Sequence, residues 1–519
     1  MKSAWYLIRM GFGFLLFCFP APVWAVDLTD LVSGDYLRML GDVKTIRSVG
    51  RVEIGGMAGS VEMLFKVPDK LYAVYDLGVI KLRQGFDGRT AWVIDQNGQQ
   101  SEVVGKEKEM IINAAYQAGF SYLFKDRMQG DVAYYKDTIV DSQKYYIFSA
   151  LPAGGDTLGL FVNAVSGRVE IVRARLDELD IYDFYSDFRP VDGLEMPFAC
   201  KTNSAVPQFN ALTEFTEIEI NVPMDDDIFA MAVSDKKDYV IAGGLDSAVV
   251  PFQYLNGHII LKGAVDGNEE ADFILDSGAG ANVIDKTYAK KIGLNFEAGL
   301  PAKGVAGYET VGIGRLDSLR VGDIVLYEQA VAVVDLAGIG VRTEGILGGI
   351  LGYDLLSRFP CKIDYSGERL VLYRPEKFSP PDSELAVNFE TFMKVPYIEA
   401  EYDGIKADFI IDLGNPFGLI LHDSFVSKYN LDSTFADIKE IKEQLGGVGG
   451  SSRVYAAVGG LLKIGKVEIK KPPLMVTDSK EGFAGSVEFG GNIGNLMLQE
   501  FTIILDYNNK RLYFLPSGR

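Results

Sequence analysis

The sequence predicts a mainly β protein: an antiparallel β domain carrying one helix, followed by two β lobes of related sequence. Three observations lead there. Short runs rich in β-branched and aromatic residues, bounded by turn signals, fill residues 50–232. One stretch, 106–124, departs from this and places its apolar residues at helical spacing. Beyond residue 248 two sequence blocks occur twice, in the same order and at nearly the same separation.

With 519 residues the chain exceeds what one core usually organises. A net charge of −20 argues against nucleic acid and anionic membrane surfaces as main partners. At the N-terminus, Lys2 and Arg9 precede an apolar run from Met10 to Trp24, and Val23-Trp24-Ala25 fits a cut after Ala25. Residues 1–25 therefore read as a signal peptide and the protein as exported, periplasmic or secreted. The run is short for a membrane span, though an uncleaved anchor is the alternative. Phe17 before Cys18 is too bulky for lipoprotein processing, and no later segment is expected to span a membrane. Cys200 and Cys361 then remain, as a disulfide or as two thiols. Only His258 and His422 are available to histidine chemistry, which nearly excludes a histidine-rich zinc site.

The first domain, 26–232, is expected to hold strands at 51–54, 60–65, 70–75, 144–148, 168–172 and 212–220, with turns at Asp87-Gly88 and Asp192-Gly193. Met110, Ile111, Ala114, Ala115 and Ala118 mark the helix. An antiparallel sheet with a helix against it is the simplest arrangement. The run Ser60 to Lys70, then Phe86-Asp87-Gly88 before Trp92, and Phe188 to Pro197 ahead of a closing strand are similar to the periplasmic lipoprotein-carrier (LolA-like) family. That resemblance implies an open half-barrel with an apolar lumen, and a lipid or lipoprotein as possible partner. Residues 233–247, charged and then glycine-paired, read as a linker.

The repeat carries the chemistry. Ala271-Asp272-Phe273-Ile274-Leu275-Asp276-Ser277-Gly278 returns as Ala407-Asp408-Phe409-Ile410-Ile411-Asp412-Leu413-Gly414. Ile350-Leu351-Gly352 is echoed by Asn492-Ile493-Gly494, and each echo is followed by a phenylalanine and Asp-Tyr. In each lobe, 248–384 and 385–519, an apolar strand ends at an aspartate on a turn of small residues, where another backbone or a substrate can approach closely. No Lys-Ser/Thr follows the glycines, so a phosphate-binding loop does not fit.

These residues resemble the retropepsin-like and pepsin-like aspartic proteases, whose signature is Asp-Thr/Ser-Gly-Ala/Ser followed downstream by two apolar residues and glycine. The resemblance implies a bilobal acid-protease fold, with Asp276 and Asp412 as the catalytic pair and Ser277, Gly278, Ala279 and Gly414 supporting their loops. It implies an endopeptidase acting on a peptide or protein, through water activated by two carboxylates that share a proton, with no metal or cofactor. It also implies a covering flap, read at Gly304–Gly312 with Gly307 and Tyr308 facing substrate, and a counterpart at 446–452. Leu413 departs from the pattern, for leucine lacks the hydroxyl that normally locks the two loops. Three outcomes follow: a working bilobal protease, pairing of lobe 1 with another copy, or a non-catalytic envelope protein that binds peptides, lipids or lipoproteins.

Overall fold

The computed structural model describes residues 26–177, 179–231, 237–297, 299, 301–305, 307–341, 343–381, 384–447 and 450–517. The expected signal peptide lies outside the described residues, as do 233–236 of the expected linker. Strands dominate throughout.

The N-terminal domain is one thirteen-stranded antiparallel sheet. It runs as a meander from Thr45–Ile54 outward to Gln100–Val103, and as a second meander from Gly130–Val140 inward to Ala211–Ile220, which pairs with Thr45–Ile54. Every strand expected from β-branched and aromatic runs is present, with its turn. Helix α1 (Gly105–Ala118) links the two outermost strands. It buries Ile111, Ile112, Ala115 and Tyr116 against sheet residues that include Leu71, Phe86 and Phe148. The helical spacing read over 106–124 thus ends early. A three-residue 3-10 turn, Ser121–Leu123, follows a left-handed Phe120.

Each lobe is built on the same three strands. In the first, β1 (Ala271–Leu275) lies parallel to β3 (Leu347–Leu351), and β2 (Val283–Asp285) pairs antiparallel with β3. In the second, β4 (Ile405–Asp412) lies parallel to β6 (Phe489–Gly494), and β5 (Leu419–Leu421) pairs antiparallel with β6. The segments leading to the two aspartates, Phe273–Leu275 and Phe409–Ile411, are buried on both faces and read as continuous apolar runs, not as alternation. The lobes are joined by a shared sheet in which Cys361–Asp364 pairs with Phe501–Asp506. Cys361 is buried there as a free thiol, and Cys200 is also unpaired.

Part of the expected linker belongs to lobe 1. Tyr239–Ile241 pair antiparallel with Ile324–Leu326. Asp238 takes the guanidinium of buried Arg358 and the amide of Gln329. At Asp238 the charge of this segment is an ion-pair partner and not a solvated tether.

Candidate active site

Asp276 follows β1 directly and Asp412 ends β4, so the matched strands deliver both carboxylates to one place. The two carboxyl groups face each other, for one point beside Gly278 lies 2.8 Å from Asp412 Oδ1 and 3.1 Å from Asp276 Oδ1. The adjoining glycines are what permit this. A Cβ on Gly414 would lie 2.4 Å from the Asp276 carboxyl carbon, and one on Gly278 would lie 2.8 Å from Asp412 Oδ1. Any side chain at either position displaces the opposite aspartate.

Backbone donors fix each carboxylate. The Gly278 amide donates to Asp276 Oδ1 at 2.7 Å. The Gly414 and Asn415 amides donate to Asp412 Oδ1, each at 3.0 Å. Asp412 has a further donor that Asp276 lacks: Asn492 Nδ2 reaches Asp412 Oδ2 at 2.9 Å. The Asn492 oxygen is in turn held by Nε2 of the fully buried His422 at 2.7 Å. An amide oxygen only accepts, so this ring nitrogen carries the proton. Burial first, then the charge of Asp412, pushes Asp276 up to about 8. Burial also raises Asp412, opposed by the Asn492, Gly414 and Asn415 donors. Burial takes His422 down to about 4, so it is neutral near pH 7.

Ser277 is fully buried and crosses between the lobes. Its Oγ donates to the Ile411 carbonyl at 2.6 Å and accepts from the Leu413 amide at 3.0 Å. The lock expected to be lost with Leu413 is therefore made from one side. Leu413 itself is fully buried in the main core. Its carbonyl accepts from Asn495 Nδ2, and Asn495 also binds Gly257 O and the Tyr365 hydroxyl. Ala279 acts through its backbone, for its carbonyl accepts from the Tyr353 amide at 2.9 Å.

The flap reading places a hairpin where one is found, with Pro301–Lys303 paired to Tyr308–Thr310. Gly307 closes it, its carbonyl taking the Gly304 amide at 2.8 Å. Tyr308 is directed elsewhere than expected: its ring lies edge-on against Phe209 of the N-terminal domain at 5.3 Å. The hairpin tip is bonded to lobe 2, where the Phe483 and Ala484 amides donate to the Gly304 and Val305 carbonyls. Of the expected lobe 2 counterpart, residues 448–449 lie outside the described residues, and Gly447 faces Val305 of this hairpin.

Asp276 and Asp412 line a cavity of about 1990 Å³. This is larger than the ~300–1,000 Å³ usual for small-molecule sites. Its opposite wall is the N-terminal sheet and α1, contributing Leu82, Val93, Val103 and Met110 among others. Two contacts near the rim tie that wall to lobe 2. Lys394 Nζ binds Asp95 Oδ2 at 2.9 Å, and the Met393 amide donates to Glu107 Oε1 at 2.8 Å.

Sequence reading gave no role to Asn492 or His422. The available signal was Asn492 itself, an amide where lobe 1 has Ile350 in an otherwise apolar strand.

Residues 261–355 match the aspartyl protease family model. That segment runs from before Asp276 to beyond Gly352 and leaves lobe 2 outside. A search of curated proteins found no match. Among solved structures, a LolA superfamily protein from Nitrosomonas europaea is 13% identical with TM-score 0.29, over 40% of this chain and 98% of that one. A retropepsin-like aspartic protease from Rickettsia conorii is 22% identical with TM-score 0.19, over 25% and 90%. Conglutin gamma from lupine seeds is 10% identical with TM-score 0.32, over 52% and 95%. At such scores these likenesses establish no activity. Among the described residues no helix is long and apolar enough to cross a membrane.

Proposed function

We propose that the chain is an exported aspartic endopeptidase in which Asp276 and Asp412 share one proton and activate water against a peptide bond. The observation that carries this reading is the close approach of two buried carboxyls at the wall of a large cavity. Two carboxylates this close cannot both ionise, so one keeps a proton. The charged partner removes a proton from water as it attacks the carbonyl carbon. The protonated partner gives its proton to the carbonyl oxygen. Ser277 and the loop glycines hold the pair, and the related sequences of the lobes support a single-chain bilobal enzyme. The substrate is a peptide or protein segment.

The test is incubation of the purified protein with an unfolded protein from pH 3 to 8, with and without pepstatin, beside Asp276→Asn and Asp412→Asn. Cleavage lost in both variants is expected. Cleavage that persists in both would sink the mechanism. Loss in the Asp276 variant alone would point to pairing between copies of lobe 1. A second reading rests on the apolar residues that the N-terminal sheet and helix lend to the cavity, among them Leu82, Val93, Val103 and Met110: a non-catalytic envelope protein that binds peptides, lipids or lipoproteins. No cleavage at any pH, with lipid copurifying, would favour it.

A further inference from the structure

One carboxylate ties together three parts of the molecule around the flap. Asp177 lies at a turn of the N-terminal sheet, in a left-handed conformation with φ 51°. Its side chain is 2% exposed and forms an ion pair with flap residue Lys303, also 2% exposed. The same Asp177 oxygen accepts from Ser486 Oγ at 2.8 Å, and Ser486 is fully buried in lobe 2. Ser486 stands two residues after Ala484, whose amide holds the flap tip. Nearby, Lys303 Nζ sits 5.3 Å from the Phe483 ring centroid and 5.8 Å from that of Tyr308. The junction also approaches the catalytic pair, for Lys303 lines the same cavity as Asp276 and Asp412.

A buried ion pair is costly to assemble, and removing one of its charges is costlier than replacing both by apolar groups. Such a pair fixes geometry more than it adds net stability. We infer that Asp177 is a positioning residue through which the N-terminal domain latches the flap over the catalytic pair. The working unit is then the whole described chain and not the two lobes alone. This rests on the endopeptidase reading for its functional meaning, though the latch itself does not.

Hydrogen exchange tests the latch without requiring catalysis. The full chain is compared with Asp177→Asn, Asp177→Glu, Lys303→Met and the Asp177→Asn/Lys303→Met double variant, all also made with Asp276→Asn. Asp95→Asn is the control, since it removes another interdomain ion pair that does not touch the flap. We expect exchange at 301–310 and 482–486 to rise at least about tenfold in Asp177→Asn. It falls back toward the unsubstituted rate in the double variant, which removes both charges, and in Asp177→Glu. Asp95→Asn leaves those segments unchanged. In active protein, Asp177→Asn lowers kcat, and the double variant recovers part of the loss.

Flap exchange in Asp177→Asn that matches the unsubstituted chain, or matches Asp95→Asn, would overturn the latch. The two failures are separable. Absence of cleavage in the unsubstituted protein removes the endopeptidase reading while exchange still decides the latch. Cleavage with unaltered flap exchange removes the latch alone.

Discussion

Ser277→Ala probes the joint between the lobes. The Ser277 hydroxyl makes two buried bonds across it, to the Ile411 carbonyl and from the Leu413 amide. Alanine removes both and leaves the Leu413 amide without this acceptor. An orphaned buried group costs about 1–3 kcal/mol, and the lost bond to the carbonyl adds about 1 kcal/mol. The expected loss is therefore about 2–4 kcal/mol, against about 0.5 kcal/mol for an ordinary surface serine. Urea unfolding followed by circular dichroism gives the value. Trp92, the sole tryptophan among the described residues, lies in the N-terminal domain and would not report on the joint. Hydrogen exchange at 275–279 and 411–415 localises the effect. A loss below about 1 kcal/mol, with unchanged exchange in both loops, would refute Ser277 as the lock. Leu413→Ser added to Ser277→Ala supplies a hydroxyl from the other side and is expected to slow that exchange again.

Asn492→Leu removes a donor that favours the charged form of Asp412. The pH at which the pair takes its second proton then rises, and the acid limb of the pH–rate profile moves to higher pH. A shift toward lower pH would contradict this. Within the site, Asp276 and His422 make opposed contributions to the pH dependence of stability. Asp276 is raised from 3.8 to about 8, so the native state binds the extra proton between those values and this contribution falls as pH rises. His422 is lowered from 6.5 to about 4, so here the unfolded state binds the extra proton and stability rises with pH over that window. The two slopes oppose each other between about pH 4 and 6.5, leaving a net decline from about 6.5 to 8. Asp276→Asn should abolish the decline and expose the rise, as read from unfolding midpoints across pH.

Much of this was legible in the sequence because it lay in local pattern. The apolar strand ending in Asp276, and its echo at Asp412, located both carboxylates without any distance information. A glycine-rich hairpin was legible at Gly304–Gly312, though its first strand, Pro301–Lys303, was not. What was hidden depended on contacts between remote segments. Nothing around Tyr308 announces that its ring rests on Phe209, roughly a hundred residues earlier. Asp177 and Lys303 each look like ordinary surface charges until the fold buries them together. Leu413 looked like a lost lock because sequence displays the missing hydroxyl but not the partner serine, whose single oxygen bonds two backbone groups of the other loop.

The lobes consequently hold their aspartates by different means. Lobe 1 contributes the bridging hydroxyl of Ser277. Lobe 2 contributes Leu413 to the core, and the burial of a leucine, worth about 1.5–3 kcal/mol, outweighs a hydrogen bond of about 1 kcal/mol. A leucine there gives up one lock without giving up stability. Lobe 2 then adds the Asn492 donor to its own carboxylate, which Ile350 cannot offer in lobe 1. The negative charge is better solvated by protein donors at Asp412, where the Asn492 side-chain amide adds to the Gly414 and Asn415 amides, whereas Asp276 has backbone amides alone. The shared proton is therefore biased toward Asp276, making it the acid and Asp412 the base in the proposed reaction. The asymmetry that weakens the family match at Leu413 is accompanied by one that orders the proton.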